Sequence, residues 1–320
     1  MRIRILSAAD VNAALPMSEA IQAMRSTFGQ FSAGKAIVPL RTRLATEKGV
    51  TLLMPAYLQD SRNLAIKIVS VYGKNPEIGL PTVAAVVTVL DPDTGRPLAF
   101  MDGETLTAIR TGAAGGLAAD LLSRRDAKRV VLFGAGVQGR SQVRAVMAVR
   151  SIEEIFIIDL VEEKAKSLAE EIRSWPNAPA VSIPSSPQEA VQKADIVIAA
   201  TTSKTPLFDG NELKPGAHVT GVGSFAPDMQ EIDENTIKRA RVFVDSREAC
   251  MAEAGDIIRS KAHIDAELGE VITGKRPGRQ DQEEITFFKS VGLAAQDAAA
   301  AGAVLKKAEE MGLGTIVELS

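Results

Sequence analysis

The sequence predicts an α/β protein built on a Rossmann-type, doubly wound parallel sheet, preceded by a segment of mixed helix and antiparallel strand. Two observations carry this. Gly134-Ala135-Gly136-Val137-Gln138-Gly139 follows a short apolar run and opens a helical pattern. From Arg129 onward, short apolar runs alternate with helical stretches, the rhythm of strand–helix–strand units and a parallel sheet. With 320 residues, the chain is long enough for two domains with separate cores.

Taken in order, Met17 to Phe31 places Ala20, Ile21, Met24 and Phe28 on one helical face. Leu64 to Tyr72 and Thr82 to Leu90 are rich in Ile and Val and read as strands. Asp91-Pro92-Asp93-Thr94-Gly95 is a turn, and Pro97 to Met101 returns from it, so an antiparallel meander is expected. Thr105 to Leu122 is a long helix rich in Ala and Gly. Strands are then expected at Arg129–Phe133, Ile155–Asp159, Ala180–Ile183, Ile196–Ala200, His218–Val222 and Val242–Asp245. Charged Val161 to Trp175 forms a helix between two of them, and Ser186-Pro187-Gln188-Glu189 starts another, with Ser as cap and Pro first. Leu293 to Met311 is one Ala-rich helix.

Composition excludes several function classes. The net charge is −3 and the 37 basic residues form no dense run, which argues against nucleic acid. One cysteine, Cys250, allows neither a disulfide framework nor a Cys-based metal site. Two histidines, His218 and His263, make a His-based zinc site or a Ser-His-Asp triad a poor expectation; no metal is expected. The N-terminus lacks the apolar core of a signal peptide, and no run of 18 apolar residues suggests a membrane span. A cytoplasmic setting is expected.

The glycine motif points to a dinucleotide. Its glycines permit a tight turn and close approach of a pyrophosphate to the helix N-terminus around Val137 and Gln138. Asp159 ends the next strand, 25 residues after Gly134. A carboxylate there accepts hydrogen bonds from ribose hydroxyls and repels a 2′-phosphate. Leu160, Val161, Glu162 and Glu163 follow, with no arginine among them, so NAD(H) is favoured over NADP(H). Asp159 could equally cap the next helix.

Three cations draw notice before the motif. Lys67 lies in Ala65-Ile66-Lys67-Ile68-Val69, with apolar residues on both sides. Two readings stay open: an inward amine with a lowered pKa suited to proton transfer, or an edge-strand lysine facing water. Arg41 follows Pro39, and Arg110 interrupts a run of small residues beside Thr111 and Gly112. Such arginines can fork a carboxylate or a phosphate, or simply be solvated.

Several stretches together resemble the ornithine cyclodeaminase/mu-crystallin family. They are Val38-Pro39-Leu40-Arg41-Thr42, Met54-Pro55-Ala56, Ala65 to Val69, Gly79-Leu80-Pro81-Thr82, Met101-Asp102-Gly103, Ile109 to Ala113, the glycine motif, Gly223 to Glu231, Ala266 to Glu270 and Phe288 to Leu293. They run in family order over nearly the whole chain. The resemblance implies a substrate-binding and dimerisation domain of α+β type from residues 1–120 plus 295–320, with the Rossmann domain of residues 121–294 inserted in it. It implies a homodimer. It puts Arg41, Lys67 and Arg110 around a substrate carboxylate, makes Lys67 the proton-transfer group, and places Thr111, Thr202, Val222 and Ser290 along the cofactor.

One departure separates branches of the family. Cyclodeaminases carry an aspartate at the position of Phe225. Here the stretch reads Ser224-Phe225-Ala226-Pro227-Asp228-Met229-Gln230-Glu231, which looks more like the ketimine and pyrroline-2-carboxylate reductases. A phenylalanine transfers no proton but can pack on an apolar ring. The resemblance therefore implies an NADH-dependent reductase of a small cyclic imino acid. Δ1-Pyrroline-2-carboxylate, giving L-proline, leads; Δ1-piperideine-2-carboxylate, giving L-pipecolate, follows. The rivals are ornithine cyclodeamination, alanine dehydrogenation and, from another class, a non-enzymatic mu-crystallin-like binding protein.

Overall fold

Short apolar runs punctuated by turns build most strands of this chain, and a computed structural model describes residues 1–319. The strands are β1 (Arg2–Leu6), β2 (Ala36–Ile37), β3 (Thr42–Ala45), β4 (Val50–Leu58), β5 (Asn63–Val71), β6 (Val83–Leu90), β7 (Pro97–Asp102) and β8 (Arg129–Phe133). They continue with β9 (Glu154–Ile158), β10 (Ala180–Ser182), β11 (Ile196–Ala199), β12 (His218–Gly221), β13 (Ala240–Val244), β14 (Ala266–Glu267), β15 (Ile285–Lys289) and β16 (Thr315–Glu318). Contacts divide the chain into two units, Met1–Arg110 with the chain from Leu293 onward, and Thr111–Gly292.

The first unit is a mixed sheet in the order β16-β1-β7-β6-β5-β4-β2, with β3 also on β4. β5, β6 and β7 form the expected antiparallel meander. Period-two alternation sends Ala65, Lys67 and Val69 of β5 to the buried face, where the helices Met17–Ser32 and Ala294–Met311 pack on the sheet. Ala20, Ile21, Met24 and Phe28 are buried, the helical face read from the sequence. The last helix lies close because its contact surface is nearly all alanine, and at Gly302 an added Cβ would stand 2.2 Å from Asn63 Oδ1.

The second unit is a parallel sheet in the order β10-β9-β8-β11-β12-β15-β13-β14, each pair parallel. Alternate residues of β8 and β11 enter two different cores: Val131, Phe133, Val197 and Ala199 one, Val130, Leu132, Ile196 and Ile198 the other. A sheet buried on both faces is what double winding requires. The chain leaves β8 toward β9 and β10, then crosses to β11 on the other side, so the strand order reverses between β8 and β11. Ligands of such sheets bind at that reversal, outside the carboxyl ends of the strands.

Some of this architecture differs from the pattern. The apolar rhythm does not mark β1, β2, β3, β4, β14, β15 or β16. β15 escapes because Ile285-Thr286-Phe287-Phe288-Lys289 is buried throughout, lysine included. The expected division at residues 120 and 294 falls instead at 110 and 292. The reason is the helix Gly103–Leu122, whose later turns pack on the helix Val137–Val149. A Cβ at Gly112 would stand 2.2 Å from Ser141 Oγ, and one at Gly116 would stand 2.7 Å from Ala145 Cβ.

Candidate active site

In the first unit, β5 and the first turn of the helix Ala294–Met311 bring together a buried charged cluster. Lys67 is 2% exposed, and its Nζ lies 2.6 Å from Asp297 Oδ2. The other oxygen, Asp297 Oδ1, accepts from Arg110 Nε at 2.9 Å. Arg110 Nη1 donates to Gln296 Oε1 at 2.7 Å, and the same oxygen accepts from the Leu293 backbone N–H. Among the described residues, no acceptor is seen for Arg110 Nη2, and Lys67 has no carboxylate other than Asp297. Burial lowers the Lys67 pKa to about 8; Arg110 and Arg41 push the same way and Asp297 opposes them. The water-facing reading of Lys67 is thus set aside. Arg41 precedes β3 and is half-buried.

This cluster carries more cations than anions. Lys67 and Arg110 share the single carboxylate of Asp297, and the charge of Arg41 also reaches Lys67. Buried charge of one sign is costly unless paired. Arg110 Nη2 and the remaining Lys67 N–H groups are donors of the kind that a carboxylate would satisfy.

In the second unit, the residues expected to meet a cofactor fall along one edge. Gly134 follows β8, Asp159 follows β9, Thr202 comes three residues after β11, Val222 follows β12 and Ser290 follows β15. All these strands run parallel, so this is the carboxyl edge of the sheet. Gly134 has φ of +96°, a conformation that favours glycine, and a Cβ there would stand 2.5 Å from Ala200 O. A Cβ on Gly139 would stand 1.9 Å from Gly134 O. Gly136 is different. It is exposed, and nothing lies within 4 Å of its Cβ position, so protein packing does not explain the missing side chain. An approaching pyrophosphate does. Gln138 Oε1, beside it, is buried without a partner. Val137 is exposed at the start of the helix, where its first turn leaves backbone N–H groups open. The residues present therefore fit a dinucleotide.

Asp159 does two things at once. Its Oδ2 accepts from Ala135 N at 2.8 Å, fixing the glycine loop, and its Oδ1 accepts from Val161 N at 2.9 Å. No lysine or arginine pairs with it among the described residues. Thr111 is buried, and its carbonyl accepts from Gln142 Nε2. Thr202 is exposed and Val222 half-buried. The Ser290 hydroxyl is committed to Asp245 Oδ2 at 2.7 Å, so this side chain offers a ligand no free donor.

Phe225 is 48% exposed in a turn closed by Phe225 N donating to Gly223 O at 3.0 Å. Neither nearby acid takes the place of the aspartate that cyclodeaminases carry there. Asp228 is exposed and paired with Lys204 at 2.6 Å. Glu231 is buried, and four donors consume it: Thr201 N and Oγ1 on Oε1, Gly223 N and Ser224 N on Oε2. Among the described residues, no group of three His, Cys, Asp or Glu could hold a metal ion, and no helix is long and apolar enough to cross a membrane.

Sequence reasoning missed Gln296 and Asp297. Their signal is two adjacent polar residues inside Ala294-Ala295-Gln296-Asp297-Ala298-Ala299, in the first turn of a helix that is otherwise apolar as far as Leu305.

Comparison with known proteins agrees with this geometry. The model of the ornithine cyclodeaminase/mu-crystallin family matches residues 1–312. The chain is 38% identical over 324 residues to a Δ1-pyrroline-2-carboxylate reductase of Bacillus cereus, covering 98% of this chain and 99% of that one. The solved Δ1-pyrroline-2-carboxylate reductase of Thermococcus litoralis, in complex with NADH and L-proline, superposes with a TM-score of 0.93 at 42% identity over 98% of this chain and 99% of the other. An archaeal alanine dehydrogenase dimer with bound NAD gives 0.93 at 32% identity over the whole of both chains.

Proposed function

The chain belongs to the ornithine cyclodeaminase/mu-crystallin family, and on that premise we propose that it reduces a small cyclic imino acid, Δ1-pyrroline-2-carboxylate, to L-proline. The observation that carries this reading is the buried cluster of Lys67, Arg110 and Asp297, charged for one carboxylate and free of any second acid. The solved relative that binds NADH and L-proline supports it.

A bound nicotinamide dinucleotide supplies the hydride. The chain's own residues do the rest. Arg110, through Nη2, and Arg41 hold the substrate carboxylate. Lys67, as the ammonium, gives a proton to the imine nitrogen while the carbon gains hydride, so C=N becomes CH–NH and the amine regains its proton from solvent. A lysine lowered to about 8 is close to matched for that exchange near neutral pH. Fixing the carboxylate places the reacting carbon and removes much of the entropic cost. Phe225 offers an apolar surface that suits ring methylenes and has no proton to transfer.

Gly134, Gly136, Gly139, Val137 and Gln138 hold the pyrophosphate in this reading, with Thr111, Thr202, Val222 and Ser290 alongside. Asp159 makes NADH the preferred form, because a 2′-phosphate would meet an unpaired carboxylate. A second copy of the chain covers the outer face of the first unit's sheet. Ile5, Ile68, Val86, Leu98 and Phe100 are each more than a third exposed there, a broad apolar patch on an otherwise finished sheet.

The test is a panel of NADH-oxidation assays with Δ1-pyrroline-2-carboxylate, Δ1-piperideine-2-carboxylate, and pyruvate plus ammonia. The cyclic imines should turn over faster than pyruvate with ammonia, the five-membered ring fastest. Faster turnover of pyruvate would make the chain an alanine dehydrogenase; no turnover at all would favour a binding protein.

A further inference from the structure

Two adjacent side chains at the start of the helix Ala294–Met311 arrange the cations of the first unit. Asp297 is 1% exposed and gives one oxygen to each cation, Oδ2 to Lys67 and Oδ1 to Arg110. With both oxygens engaged, the carboxylate cannot turn without losing a partner. Gln296 holds Arg110 at a second point and is itself tied to Leu293 N. The guanidinium plane is therefore fixed from two sides, leaving Nη2.

We propose that Asp297 is a positioning residue for the reduction: it locks the Lys67 ammonium and the Arg110 guanidinium into one array and sets the pH range over which Lys67 remains a proton donor. This rests on the imine-reductase reading above. The charged groups that act on Lys67 come from three places. Asp297 stands on the last helix, Arg110 on the helix Gly103–Leu122, and Arg41 just ahead of β3. The two arginines and burial all favour the neutral amine, and only Asp297 favours the ammonium. Taking away that one charge leaves nothing among these groups to hold the proton.

The sign follows. Lys67 is a donor below its pKa of about 8, so reduction should weaken as pH rises through that value. In Asp297→Asn the ammonium loses its counter-charge, and the alkaline limb of kcat should move down by about one pH unit or more. KM for the imine should rise about tenfold as Arg110 loses an anchor, the scale of one charge-assisted hydrogen bond. KM for NADH should stay within about twofold, since the dinucleotide residues belong to the other unit. Asp297→Glu keeps the charge and displaces it, so kcat should fall while the limb stays near its wild-type position.

The experiment records pH profiles of kcat and KM for Δ1-pyrroline-2-carboxylate in wild type and both variants. Nitrogen-15 NMR titration of the Lys67 side chain, assigned with Lys67→Arg, is run in parallel. A limb and a Lys67 titration that both move down in Asp297→Asn sustain the proposal. Both unmoved, whatever the loss of rate, would make Asp297 a purely structural carboxylate and overturn it. Should Asp297→Asn fail to fold, Asp297→Ser takes its place: a limb that moves down supports the proposal, and a limb left in place overturns it. Wild type that makes no proline would sink the imine reading, while the NMR titration would still judge Asp297.

Discussion

Among the described residues there are two fully enclosed lysine–aspartate pairs, one in each unit, and they are built for opposite ends. Lys67 meets Asp297 among further cations, Arg110 and Arg41. Lys289 of β15 meets Asp256 at 3.0 Å among further anions, with the Glu231 carboxylate close enough to feel its charge. Around Lys289, the acids spend their oxygens on the protein's own backbone: Asp256 Oδ1 accepts from Glu231 N and Ile232 N, and Glu231 holds the turn at Gly223 and Ser224. The atoms that remain, Asp256 Oδ2 and Lys289 Nζ, face each other at 3.0 Å. Around Lys67, positive charge is left over. A buried ion pair alone does not mark a site; the sign and the surplus around it do.

Replacing each lysine breaks this comparison where it is strongest. Lys289→Met strands Asp256 without a cation and should cost about 3–5 kcal/mol of stability, the usual penalty for an orphaned buried charge. Lys67→Met leaves Asp297 still paired with Arg110, so its melting temperature should change far less. Its turnover should fall at least about a hundredfold, the scale of lost acid–base help, with NADH binding kept. Thermal melts and steady-state rates on the two proteins check both halves. A Lys67→Met protein as unstable as Lys289→Met would erase the distinction.

The two units also differ in how much of them the sequence discloses. The second unit's edge is legible because each part is local: the glycine motif, the strand before it and Asp159 after the next strand all lie within 31 residues, Arg129 to Asp159. The first unit's cluster is assembled from afar. Whether Lys67 faces in depends on which face of β5 the helix Ala294–Met311 covers, more than 200 residues later in the chain, and alternation gives two faces without saying which is wet. Asp297 hides for the same reason: in an alanine-rich helix, one acid reads as a first-turn charge that complements the dipole. β15 hides because its lysine breaks an apolar run that only Asp256 makes tolerable. The division inside the helix Gly103–Leu122 follows from glycines whose packing partners, Ser141 and Ala145, lie on another helix.

Cofactor choice sharpens the contrast on the side of the second unit. Asp159→Ala with Leu160→Arg should shift preference toward NADPH by about tenfold or more, because a repelled 2′-phosphate gains a cation worth one charge-assisted contact. The ratio of kcat/KM for NADPH over NADH measures it. A wild type that already prefers NADPH would contradict the role given to Asp159. The smallest effect is expected on the outer face of the first unit's sheet. Phe100→Asp puts a charge into the apolar patch and should shift a dimer toward monomer in sedimentation equilibrium, with the fold unchanged by circular dichroism. Wild type that sediments as a monomer would remove the second copy from the account.

The central claim is that the surplus charge at Lys67 and Arg110 serves an imine carboxylate and that no second acid serves a substrate amine. Ornithine carries an extra ammonium, and the one carboxylate beside Lys67 and Arg110, that of Asp297, is already held by both of them. Leaving that ammonium unpaired in a buried site costs at least about 2 kcal/mol. The most direct measurement is the rate of L-proline formation by wild type from Δ1-pyrroline-2-carboxylate with NADH, set against the rate from L-ornithine with NAD. Proline should form from the imine at a rate at least about thirtyfold above that from ornithine. Proline and ammonia appearing from ornithine faster than proline appears from the imine would contradict it.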